Sequence, residues 1–159
     1  MGPNYVQIFM LVVLCASTLR VSTANRHGYH RRRTDTPETV VVGGSSANWT
    51  FGFDYTYWAF KHGPFYVNDT LVFKYDLPKD NTTHPHSVYL LPNQESFDTC
   101  NLTNAVKVAD GAQGGGKGFE FVLKEFKPHL FACGGGEGIH CNLGKMKFNV
   151  LPLPSRIWY

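Results

Sequence analysis

Residues 131–146 read Phe-Ala-Cys-Gly-Gly-Gly-Glu-Gly-Ile-His-Cys-Asn-Leu-Gly-Lys-Met. Glycine from 134 to 136 and again at 138 leaves the middle of this stretch without the side chains that a strand or a stable helix would pack. Before it, His129 to Cys133 (HLFAC) is a short apolar run. After it, Met146, Phe148 and Val150 alternate with Lys147 and Asn149, which puts three apolar side chains on one face and two polar ones on the other. The segment is therefore one loop between two strands. That loop holds a thiol at Cys133, an imidazole at His140, a second thiol at Cys141 and a thioether at Met146.

Short apolar segments bounded by Gly and Pro continue outward from this loop. Thr39 to Val42 runs into Gly43-Gly44, Leu71 to Tyr75 is rich in strand formers, Ser87 to Leu91 stops at Pro92, and Phe119 to Leu123 follows a glycine tract. Only Asn93 to Asn104 and Trp58 to His62 suit short helices. Several strands at short spacing predict a β-sandwich or barrel. Composition agrees: 159 residues with 43% hydrophobic and 17% charged suit one ordinary domain and argue against disorder. The 12 Phe, 8 Tyr, 16 Gly and 9 Pro favour strands and turns over a helical bundle.

The formal charge is +3, but it is not spread evenly. From Thr39 to Leu153 there are 9 Lys and no Arg against 10 Asp plus Glu, so that part carries −1. The positive balance belongs to residues 25–38 (NRHGYHRRRTDTPE), read as a flexible basic arm, and to Arg156 in the tail 154–159. The lack of a basic face argues against nucleic acid as a partner. The arm is suited to an acidic cell-wall polysaccharide, to a membrane surface or simply to solvent. Residues 1–24 read as a signal peptide: Ile8 to Ala16 is a short apolar core, and Ser22-Thr23-Ala24 offers small residues for cleavage. The apolar run is short of a membrane span, so the mature chain is expected to be secreted and extracellular, with no transmembrane segment. Sequons at Asn48, Asn68, Asn81 and Asn101 fit that compartment as glycosylation sites. Gly111 to Lys117 has the glycine and lysine spacing of a phosphate-binding loop, but Gly118 stands where a magnesium-binding Ser or Thr is needed, so it reads as a turn. No carboxylate pair or Ser-His-Asp order stands out, and an enzyme is not expected.

Cleavage removes Cys15 and leaves Cys100, Cys133 and Cys141. In an oxidising compartment two should pair, leaving one thiol that is buried and inert, joined to another chain, or metal-bound. A thiolate with two imidazoles and a long axial Met is the donor set of a blue-copper site. Cys133, His140 and Met146 come from one loop, and His86, at the start of the apolar segment SVYLL, offers the second imidazole. His84 is the alternative to His86. A second copper site is conceivable at the new N-terminus, where the Asn25 amine, two amides and the His27 imidazole form a square-planar set with His30 nearby.

The arrangement resembles the phytocyanins, a plant family of secreted cupredoxins, over roughly Val41 to Leu151. Val42-Gly43-Gly44-Ser45 is similar to the family's opening segment. Tyr55-Thr56-Tyr57-Trp58-Ala59 and Phe65 to Phe73 look like its helix-and-strand signature. His86-Ser87-Val88 resembles the first ligand motif, Ser96 to Asn101 the stretch with the first bridging cysteine, and Phe131-Ala132-Cys133 with Ile139 to Gly144 the remaining ligands and second bridging cysteine. The resemblance implies a cupredoxin-like Greek-key β-sandwich with one or two short helices over residues 39–153. It further implies a Cys100–Cys141 disulfide, copper held by His86, Cys133 and His140, and one-electron transfer as a monomer with a separate redox partner. His140 would be the ligand whose edge reaches solvent.

Two departures from the family pattern stand out. Six residues separate Cys133 from His140, where the family usually has four, and Lys145 follows Gly144 where the family has its axial residue. The longer loop predicts a metal site that is more exposed or more labile. Met146 is then either a shifted axial ligand or a core side chain. A copper-poor glycoprotein that binds cell-wall polymers is the alternative function.

Overall fold

The computed structural model describes residues 36–79 and 85–154. The signal peptide, nearly all of the arm, Asn81, His84 and the N-terminal copper set (Asn25, His27, His30) lie outside the described residues.

Two sheets form the described domain. The first has the order β1 (Thr39–Val41), β2 (Thr70–Phe73), β5 (Phe119–Val122), with β1 parallel and β5 antiparallel to β2. The second has the order β4 (Val106–Ala109), β3 (Val88–Leu90), β6 (His129–Ala132), β7 (Lys147–Val150), antiparallel throughout. They close on each other through rings. Phe73 of β2 lies 5.3 Å from Phe131 of β6 and 6.1 Å from Phe148 of β7, and Phe121 of β5 is edge-on to Phe131 at 5.1 Å. Trp49 and Tyr55, both fully buried, complete this cluster at the end where the ligand loop sits. This is the cupredoxin-like sandwich.

β6 shows how period-2 alternation builds the molecule. Phe131 and Cys133 join the inter-sheet core, while Leu130 and Ala132 face a second cluster with Phe97, Cys100 and Cys141. All four of its strand residues are buried because both faces are covered. Met146, Phe148 and Val150 of the β7 segment point into the inter-sheet core, as their alternation predicts.

The two expected helices are present with shifted ends. α2 (Tyr55–His62) starts earlier because the Asp54 carboxylate caps it, accepting from Tyr57 N–H at 2.9 Å. α3 (Gln94–Thr99) is capped by Asn93 and stops at Cys100, whose φ of 55° is left-handed. Two single turns, α1 (Gly44–Ala47) and α4 (Ile139–Asn142), lie in segments read as loop, and a 3-10 turn (Gly135–Gly138) precedes α4. They are too short to show helical periodicity. β4 was not expected either: it is an edge strand with Val106 and Lys107 exposed, so burial left little pattern in its sequence. The glycine tract 111–118 is a turn, as expected, with Tyr75 N–H donating to Gly114 O. Among the described residues no helix is long and apolar enough to cross a membrane.

Candidate metal centre

β6 delivers Cys133 to the end of the sandwich with its side chain on the inward face. Its sulfur is completely buried and is not part of a disulfide. His86 arrives from the segment entering β3, where Trp49 Nε1–H donates to Ser87 O at 3.0 Å. His140 arrives on α4. The six-residue loop folds tightly, with Gly136, Glu137 and Gly138 all at positive φ. Gly135 has no room for a side chain: a Cβ there would stand 2.3 Å from His140 Nδ1 and 2.8 Å from Pro85 O.

The three donor atoms form a compact triangle. Cys133 Sγ is 3.5 Å from His140 Nδ1 and 3.7 Å from His86 Nδ1, and the two nitrogens are 3.1 Å apart. A point equidistant from all three lies about 2.0 Å from each, close to the roughly 2.0–2.3 Å of bonds from imidazole nitrogen and thiolate sulfur to such metal ions. The donor set thus fits one metal ion without rearrangement, and no other cluster of three such side chains occurs among the described residues.

The electrostatics match. Burial pushes the Cys133 thiol up, against N–H donors from Gly135 and Ser87, each 3.4 Å from the sulfur, that stabilise the thiolate. Ser87 also holds the loop, its Oγ accepting from Gly134 N–H at 3.1 Å. Burial first, and then the facing His140, push His86 down to about 4, with Asp76 opposing. An imidazole that stays neutral keeps its lone pair for a metal.

Cys100 and Cys141 form the disulfide implied by the resemblance, with Cα atoms 5.8 Å apart. It ties α4 to the end of α3. Met146 is fully buried; Cys133 N–H donates to its carbonyl at 2.9 Å. That bond extends the Phe131–Phe148 and Ala132–Lys147 register and sets Met146 opposite Cys133 on the inward face. It belongs to the inter-sheet core, as Cys133 does. Two expectations about exposure are not met. His140 is only 8% exposed, whereas His86 is the more open of the two, and the longer loop leaves Cys133 fully covered. The glycines let the extra residues fold down on the site instead of bulging outward. Of the sequons, Asn68 and Asn101 are exposed and Asn48 is half-buried. Sequence reasoning missed Ser87 and Gly135 as donors to sulfur, since they act through backbone N–H.

The plastocyanin-like domain family matches residues 49–145. This chain belongs to the phytocyanin family. Among solved structures, cucumber basic protein, a blue copper protein, is 30% identical with a TM-score of 0.53, covering 72% of this chain and 99% of its own. Cucumber stellacyanin, solved with Cu2+, is 25% identical with a TM-score of 0.58, covering 76% of this chain and 100% of its own. No curated protein sequence matches. Within the phytocyanin frame, the His-Cys-His group of this chain can hold a metal ion.

Proposed function

We propose that this phytocyanin is a secreted type 1 copper protein that carries single electrons. His86, Cys133 and His140 would hold the copper ion, with the buried Met146 as a further, weaker donor. The observation that carries this reading is the unpaired, buried Cys133 sulfur with two imidazole nitrogens 3.5 and 3.7 Å away. A soft thiolate with two imidazoles suits copper, which when bound supplies a one-electron couple between Cu(II) and Cu(I). The chain does the rest. Two sheets and a disulfide hold the donors so that little moves on a change of charge. The Ser87 and Gly135 amides stabilise the thiolate, and the aromatic core excludes water; both set the potential. The Cys100–Cys141 bridge supports an oxidising, extracellular (in a plant, apoplastic) location, with glycans at the sequons, exposed Asn68 and Asn101 foremost. The protein works as a monomer with a separate redox partner.

Purified mature protein given Cu(II) is expected to bind one ion and show intense visible thiolate-to-copper absorption. Cys133→Ser abolishes that colour, whereas Met146→Leu keeps it and shifts the potential, since a weak axial donor tunes more than it holds. A colourless protein with its thiol free overturns the reading.

A further inference from the structure

The donor triangle has one closed flank and one open flank. On the His140 side, the Phe51 ring meets the imidazole edge-on at 5.6 Å. Phe51 is itself half exposed, so it stands between His140 and solvent as a cover. Its backbone is anchored on both sides. Thr50 N–H donates to the Tyr55 hydroxyl at 2.6 Å, that hydroxyl donates to Asn48 O at 2.6 Å, and Gly52 N–H donates to Gly144 O at 2.8 Å. Gly144 lies directly beneath the ring: a Cβ there would stand 2.5 Å from Phe51 Cδ2. On the other side, a cleft of about 110 Å³ reaches His86 between Asn48, Thr50, Tyr75 and Asp76. Asp76 is exposed and, among the described residues, is the one carboxylate lining this cleft.

We propose that Phe51 is a positioning residue that closes the His140 flank, and that small reactants reach the centre along the His86 flank, where Asp76 favours cationic ones. The access half stands on this geometry alone, while the electron-transfer half rests on the copper reading. A negative group beside a small low-dielectric cleft raises the local concentration of cations and lowers that of anions, more so at low salt.

The access half is tested on the metal-free protein with diethyl pyrocarbonate, followed by peptide mass mapping. An accessible neutral imidazole nitrogen gains an ethoxycarbonyl group, and ethyl carbonate leaves and decomposes to carbon dioxide and ethanol. His86 is expected to react about tenfold faster than His140, the scale of protection that burial confers. Phe51→Ala brings His140 to within about threefold of His86, and Phe51→Tyr, which keeps the ring, restores protection. Equal rates in the unaltered protein, or a His140 rate unmoved by Phe51→Ala, overturn it. The electron-transfer half is tested on the copper-loaded protein with hexaammineruthenium(II) and with ferrocyanide. Each complex oxidised gives up one electron and bleaches one equivalent of colour. Asp76→Asn is expected to lower the cation-to-anion rate ratio by about threefold at low ionic strength and to have little effect in high salt. An unchanged ratio overturns the selection by Asp76. A protein that takes up no copper but shows the acylation pattern fails the copper reading alone; a blue protein with equal acylation rates fails this inference alone.

Discussion

Gly135 does three things at once. Its amide donates to the Cys133 sulfur, its Cα lies against the His140 ring, and it begins the turn that leads to α4. A methyl group here collides with His140 Nδ1, one of the three candidate donors, and the atom that must yield is on a ring already packed by Phe51. Gly135→Ala is therefore expected to lower copper affinity by at least about tenfold, roughly 1.4 kcal/mol, measured by competition with a chelator of known affinity. Global stability should change far less, since the residue lies in a turn at the end of the sandwich. Affinity within twofold of the unaltered protein would show that the ring has room to retreat.

At the scale of elements, α4 is a single turn that cannot hold its shape alone. It is fixed by the disulfide to Cys100, by Met146 N–H donating to His140 O at 3.0 Å, and by Gly144 N–H donating to Ile139 O at 3.1 Å. The bridge spans a sequence separation of 41, for which loop-closure entropy corresponds to about 4 kcal/mol in the chain-entropy model. The double variant Cys100→Ala with Cys141→Ala should lose about 2–4 kcal/mol of stability in denaturant titration. Copper affinity should fall as well, because the element carrying one donor is loosened while Cys133 and His86, held by β6 and β3, stay in place. Loss of stability with unchanged affinity would mean that the loop is positioned by its own hydrogen bonds.

For the whole molecule, we expect pH dependence at the end of the sandwich away from the His-Cys-His group to depend on His129. The ring is 5% exposed and packs between Phe121 and Phe131, and among the described residues its Nδ1 has no hydrogen bond of good geometry. Burial pushes its pKa below the ordinary histidine value; the backbone of Lys127 opposes this by hydrogen bonding to the ring, the charge of Lys127 adds to it, and Glu125 opposes it. Glu120 and Lys124 line the same shallow groove. In the unfolded chain this histidine takes its proton near pH 6.5. The native state resists that proton, so the unfolded state binds more protons below that point and stability falls as the pH drops. We expect denaturant midpoints to decline from about pH 6.5 downward, and His129→Phe to flatten that part of the decline. An identical slope in the variant would locate the acid sensitivity in other groups.

The candidate donors could be read from the sequence because each announces itself by type. Cys133 follows a strand, His140 adjoins a second cysteine, His86 opens an apolar run, and Met146 begins an alternating one. Strand alternation was enough to place Met146 and Phe148 inward, and Gly118, standing where a Ser or Thr is needed, was enough to discard the phosphate-loop reading of Gly111 to Lys117. What remained closed was everything set by contact between distant segments. The edge strand β4 left no trace because half of it faces solvent, and α1 and α4 are too short to have a period. The openness of the site ran opposite to expectation, since loop length says how much chain is present and not which way it folds. Phe51 lies 89 residues before His140 in the sequence, and only the tertiary anchoring at Tyr55 and Gly144 sets its ring against that imidazole. Residue chemistry and local periodicity determined what the centre is made of; the packing of the two sheets decided that its donors meet around one point and which of them faces water.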